Sequence, residues 1–146
     1  MERTRGFELI VGKNGKLPER ATAHSAGYDF FAAEDTVIPP HTVKVVWTGV
    51  KAYMPDNEML KLYNRSSNAL KKGLMLANGV GIVDADYYNN PDNEGNIGFS
   101  FLNIWDTECH IKTGDKLGQG IFEIYNIADG DETSGSRSGG FGSTGK

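Results

Sequence analysis

A single cysteine, Cys109, stands in a chain of 146 residues. That excludes an intrachain disulfide framework and any thiolate metal cluster built from one chain, and the residue reads as a partly buried small hydrophobe. Positive charge is also scarce: 15 Lys and Arg face 19 Asp and Glu, for a net charge of -4. Such a chain exerts no general attraction on nucleic acid and has no basic tract to follow a phosphate backbone. A local cluster of donors could still hold a phosphorylated small molecule. No apolar run approaches membrane-spanning length, and the opening Met-Glu-Arg-Thr-Arg-Gly has no apolar signal segment, so the expected location is cytoplasmic. His24, His41 and His110 show no metal-ligand spacing. Helical periodicity is nearly absent, which argues against a doubly wound sheet with crossover helices.

What the chain does have is short strands between turns. Phe7 to Val11, Val43 to Trp47 with its apolar alternation, Leu74 to Val83, Ile97 to Ile104 and Leu117 to Ile127 all read as strands. Pro39-Pro40, Pro55-Asp-Asn and Ile111-Lys-Thr-Gly-Asp115 read as corners or turns. The only helix expected follows Arg65, with Ser66 or Ser67 as its cap and Gly73 as its stop. Evenly spaced short strands predict an all-β sandwich or barrel in one domain, residues 1–127. Residues 128–146 are rich in Gly, Ser and Thr and read as a flexible C-terminal arm.

Three stretches carry more chemistry than a scaffold needs. Asn78-Gly-Val-Gly-Ile-Val-Asp-Ala-Asp-Tyr87 ends a strand with an amide, two carboxylates and a ring. On its own it is equally a solvated turn after a core strand. Arg65-Ser-Ser-Asn68 places a guanidinium and two hydroxyls at a helix start, a suitable cradle for an anion. In the tail, Arg137 and Phe141 stand among glycines, where a plain linker needs neither. Asp29, set between aromatics, reads either as a local cap or as a site residue.

Five stretches in order resemble the trimeric deoxyuridine triphosphate pyrophosphatases (dUTPases). They are Ala26-Gly-Tyr-Asp-Phe-Phe-Ala-Ala33, Arg65 to Gly73, Asn78 to Tyr87 with Gly95-Asn-Ile97, Gly114-Asp-Lys-Leu-Gly-Gln119, and Arg137-Ser-Gly-Gly-Phe-Gly-Ser-Thr-Gly145. The resemblance implies a β-clip, a distorted jelly-roll barrel, in a homotrimer whose active sites are shared between chains. It implies a hydrolase of nucleotide metabolism that converts dUTP and water to dUMP and pyrophosphate with Mg2+. Carried to matching positions, Asp84 is similar to the carboxylate that activates the water, and Asn78 to the uracil-recognising residue. Tyr87 is similar to the ring that packs on deoxyribose and leaves no room for a 2′-hydroxyl. Arg65, Ser66, Ser67 and Gln119 resemble phosphate-binding residues. Arg137 resembles the tail arginine on the terminal phosphate, Phe141 the ring over uracil, and Gly142 and Ser143 the substrate-binding residues beside it. Asp29 matches an aspartate associated with the metal through water.

Two departures stand out. Seven residues, Tyr88 to Glu94, separate Tyr87 from Gly95 where the family usually has one, and this loop is a possible protein-partner surface. Lys116 stands where the family more often has arginine. Asp86, read as a salt-bridging or capping residue, stays outside the catalytic set. Two alternatives remain. A deoxycytidine triphosphate deaminase would need a glutamate at Ser100, and serine has the wrong acidity. A non-catalytic nucleotide-binding regulatory trimer would be expected to lose Asp84 or Phe141, and both are present. No membrane and no nucleic-acid partner is expected. If a phage encodes the chain, its location would be inside a host cell.

Overall fold

The computed structural model describes residues 2–135 and Arg137. Among the described residues, eleven strands, one short α-helix and one turn of 3-10 helix make up the regular structure: β1 Gly6–Leu9, β2 Tyr28–Phe31, β3 Thr36–Ile38, β4 Val43–Trp47, β5 Val50–Tyr53, β6 Glu58–Asn64, α1 Ser66–Lys72, β7 Leu74–Leu76, β8 Gly81–Asp84, the 3-10 turn Ala85–Tyr87, β9 Gly98–Asn103, β10 Cys109–Ile111 and β11 Lys116–Ile124. The fold is all-β, as the turn spacing predicts. Two larger antiparallel sheets, in the orders β2-β11-β6-β8 and β4-β9-β7, are joined by the pairs β1-β5 and β10-β3. Alternation supplies the inner faces: Leu60 and Leu62 of β6 and Phe99 and Phe101 of β9 are buried, with Phe30 of β2. The rings of Phe30 and Phe99 meet across the two sheets at 5.6 Å between centroids. Burying such aromatic area is the main favourable term holding the layers together.

Several boundaries differ from the sequence-based expectation. The strand expected from Leu74 to Val83 is two strands, because the chain turns at Asn78–Gly79. Gly79 takes φ +75°, and its N–H donates to the Leu76 carbonyl at 3.0 Å. β7 and β8 consequently belong to different sheets. Ile104, expected inside a strand, is 45% exposed beyond the end of β9. Asn103 takes the buried place instead and donates to the carbonyls of Ile38 and Thr107. The last strand stops at Ile124, and Ile127 lies on the surface. No serine caps α1: Arg65 holds the cap position without a side-chain bond, and Ser66 is the first helical residue. What anchors the helix is Asn68, fully buried, whose amide donates to the Asn64 carboxamide and to the Leu117 carbonyl, both at 2.8 Å. Gly73 ends it in the left-handed conformation, as expected.

Candidate active site

β8 is an edge strand, and its residues alternate as an edge should: Gly81 and Val83 are buried, Ile82 and Asp84 exposed. Beyond Asp84 the chain tightens into one turn of 3-10 helix, Ala85–Tyr87, which carries Tyr87 inward. Asp84 and Asp86 both reach the Arg137 guanidinium. Its Nε donates to Asp86 Oδ1 at 2.8 Å and its Nη2 donates to Asp84 Oδ2. The arginine side chain is only 11% exposed, whereas those of Asp84 and Asp86 are 54% and 60% exposed. Hydrogen bonding to Asp86 holds the guanidinium above its ordinary value, against the opposing effect of burial. A cavity of about 260 Å³ opens here, lined by Asn78, Asp84, Tyr87, Gly98 and Arg137 with the aliphatic groups of Leu62 and Ile97. The arginine carbon lies 5.8 Å from the centre of the Tyr87 ring. Four of the expected site residues therefore meet in one cavity.

A second group gathers elsewhere. Asp29 lies opposite Gln119, which lies opposite Tyr63, and Gly118 lies opposite Asn64, immediately before Arg65, Ser66 and Ser67. Lys116 Nζ sits 3.3 Å from Asp29 Oδ2, so the family-atypical lysine is engaged with the expected metal-associated carboxylate. Asp84 lies opposite Met59, four residues along β6 from Tyr63, and Asp29 is three strands across from β8. At about 3.3 Å per residue and about 4.8 Å between strands, the two aspartates are about 20 Å apart. Directly opposed and i, i+4 positions share a face, so both carboxylates project from the outer side of this sheet. Within one chain these two groups cannot contact the same phosphorus. Arg65 makes no side-chain hydrogen bond or ion pair to any described residue. Phe141, Gly142 and Ser143 lie outside the described residues.

The loop Tyr88 to Glu94 is wound tightly on itself immediately after Tyr87. The N–H of Asn89 donates to the Glu94 carbonyl and that of Glu94 to the Asn90 carbonyl at 2.7 Å. Gly95 takes φ +84°, and a Cβ there would lie 2.5 Å from the Tyr87 carbonyl oxygen. Inside this knot the Tyr87 hydroxyl donates to the Asn96 carbonyl at 2.6 Å and accepts from Asn93 Nδ2 at 2.9 Å. Burial pushes the phenol above its ordinary pKa. Sequence reasoning missed Asn93, which reads only as a turn former, and gave Asn96 no role beyond its place in the Gly95-Asn-Ile97 stretch, while Asp86, read as salt-bridging or capping, does pair with Arg137. A run of asparagines beside a candidate ring was the available signal.

The family model described as dUTPase matches residues 13–145. Deoxyuridine 5'-triphosphate nucleotidohydrolase of Lactococcus lactis subsp. lactis is 50% identical over 146 aligned residues, covering 97% of each chain. Among solved structures, the dUTPase of Streptococcus mutans superposes with a TM-score of 0.83 at 48% identity, over 86% of this chain and 99% of that one. A mutant dUTPase from phage phi11 of Staphylococcus aureus, whose structure details coordination of a structural Mg(II) ion, shares the fold with a TM-score of 0.73 at 24% identity, over 91% and 98% of the two chains.

Proposed function

The chain belongs to the dUTPase family, and we propose that it works as one of three subunits that share active sites, with Asp84 activating the attacking water. It is a dUTP diphosphatase: it hydrolyses dUTP to dUMP and pyrophosphate. The observation that carries the mechanistic reading is the Asp84 carboxylate at the rim of a cavity that also holds Asn78, Tyr87 and Arg137. A carboxylate half open to solvent can orient a water and take its proton as the oxygen adds to phosphorus and the α–β anhydride opens. Arg137, paired here with Asp84 and Asp86, can exchange those partners for phosphate oxygens, releasing Asp84 for the water. Asn78, on the turn before β8, is assigned the uracil edge, and the Tyr87 ring the deoxyribose. Arg65, Ser66, Ser67 and Gln119 are assigned the phosphates. The separation of about 20 Å between the two residue groups supports a closed trimer, in which a neighbour brings one group to the other. Among the described residues none beyond Phe122 joins the buried core, which suits an arm, residues 128–146, that completes a site rather than a fold.

The donors suit magnesium of one kind. Among the described residues no group of three or more His, Cys, Asp or Glu could hold a metal ion by itself. Isolated carboxylates such as Asp29 suit a hard ion that keeps most of its waters and takes phosphate oxygens as ligands, with Asp29 holding it through water. When bound, the ion neutralises charge on the triphosphate. No described helix is long and apolar enough to cross a membrane, and we place the enzyme in the cytoplasm. The exposed Asp92 and Glu94 of the loop are the edge assigned to a protein partner. Pyrophosphate release from dUTP, dTTP, dCTP and UTP, measured side by side, tests the reading. Turnover should fall steeply for every substrate but dUTP, because unmet hydrogen bonds or a clash in a built pocket cost far more than a methylene. Equal rates with UTP would remove Tyr87 from its role, and ammonia release from dCTP would overturn the assignment.

A further inference from the structure

We infer that Asn93, in the loop between Tyr87 and Gly95, is a positioning residue that fixes the Tyr87 ring and so sets how strictly the enzyme refuses a ribose 2′-hydroxyl. The inference rests on the reading of Tyr87 as the ring against the sugar. A phenol has one hydrogen to give, and Tyr87 gives it to the Asn96 carbonyl at 2.6 Å. What remains on that oxygen is acceptor capacity, and the group facing it is the Asn93 amide at 2.9 Å, a donor. The orientation of this amide is determined by its other end. Asn93 Oδ1 accepts from the Gly95 N–H at 3.0 Å and from Asn90 Nδ2 at 3.1 Å. Turned end for end, it would present a donor to two donors. The Asn93 backbone is held as well, its carbonyl accepting from the Asn96 N–H at 3.0 Å. The ring is thus tied at both ends: by its own backbone, and by two bonds to the phenol oxygen that reach it from different directions. With Asn96 alone the oxygen could pivot about a single bond. The gap that excludes a hydroxyl would then widen by a fraction of an ångström, and displacements on that scale matter at a reacting site.

Steady-state kinetics on the full-length enzyme, with dUTP, UTP and dTTP as competing substrates, test this. Asn93→Ala should lower the dUTP-to-UTP ratio of kcat/KM by about threefold to tenfold, the span of one net hydrogen bond, and leave the dUTP-to-dTTP ratio unchanged. Asn93→Ser keeps a short acceptor for the Gly95 N–H but cannot reach the phenol. It should behave like Asn93→Ala even if the alanine variant folds poorly. In a Tyr87→Phe background, where the bond is already gone, Asn93→Ser should change neither ratio further. If Tyr87→Ala collapses the dUTP-to-UTP ratio and Asn93→Ser does not move it, the ring reading stands and the anchor is overturned. If both ratios fall together, Asn93 is merely structural and the inference fails. If Tyr87→Ala leaves the dUTP-to-UTP ratio intact, the reading of the ring fails and the inference falls with it.

Discussion

Replacing Asp84 by asparagine separates chemistry from architecture, because the structure assigns different magnitudes to the two. Asparagine preserves size and one acceptor oxygen but cannot take a proton from water, and a positioned base contributes about 10²- to 10⁴-fold. The structural cost is small. The Asp84 side chain is 54% exposed, so its ion pair with Arg137 is screened and contributes at most about 1 kcal/mol. For a chain of this size that moves the melting temperature by no more than about 5 °C. Asp86→Asn is the matched control. It removes the partner of Arg137 Nε, at 2.8 Å, without touching the residue assigned to water. Its turnover should stay within about tenfold of wild type, since only a charge partner is lost. Single-turnover pyrophosphate release, with saturating enzyme in excess over dUTP and with magnesium present, reads the chemical step apart from binding. Near-normal turnover in Asp84→Asn, or an equal collapse in Asp86→Asn, would refute the assignment of the base.

Removing the chain from Arg137 onward should leave folding unchanged, because among the described residues the buried core draws on nothing beyond Phe122, while turnover falls steeply; circular dichroism and kinetics on the same preparation decide it. Acid stability should depend on Glu58, which is buried and accepts from Arg5 Nε and Nη2 at 2.8 and 2.7 Å. These bonds hold its carboxyl below the ordinary 4.5, so the stabilisation is complete above that value and is lost as pH falls through the lowered one. Glu58→Gln should melt lower at neutral pH and show a flatter decline than wild type as pH falls below 4.5; parallel melting curves at neutral and acid pH would contradict this.

The parts of the fold legible in the sequence are those encoded over a few residues. The helix stop at Gly73 follows from local sterics and is present, whereas β4 is a strand as expected but buries Val46 and exposes Val43, the opposite phase to the apolar alternation, and the turn at Asn78–Gly79 breaks a run that reads as one strand. Strand ends were legible only where a turn former marked them. Ile104 matched the apolar pattern, yet Asn103 holds the buried place through bonds to Ile38, 65 residues away. The site divides the same way. Asp84, Asn78 and Tyr87 lie within ten residues and stood out together. Asp86 reads as a salt-bridging or capping residue and does form a salt bridge, but its partner Arg137 is 51 residues distant, a pairing no local spacing encodes. Asn93 was hidden because asparagine is also an ordinary turn former, and its bond to the Tyr87 hydroxyl exists only once the loop has closed.

Subunit complementation tests the shared-site account most directly. Asp84→Asn and Arg65→Ala subunits, each nearly inactive alone, would be denatured together in equal amounts and refolded. A site drawing Asp84 from one chain and Arg65 from another is intact when each comes from the chain that kept it, which random mixing achieves in about a quarter of sites. The account predicts recovery to about a quarter of wild-type activity in a species of three times the subunit mass. Activity no greater than that of the two parent variants, in a mixture shown to have exchanged subunits, would mean that each site belongs to a single chain and would contradict the account.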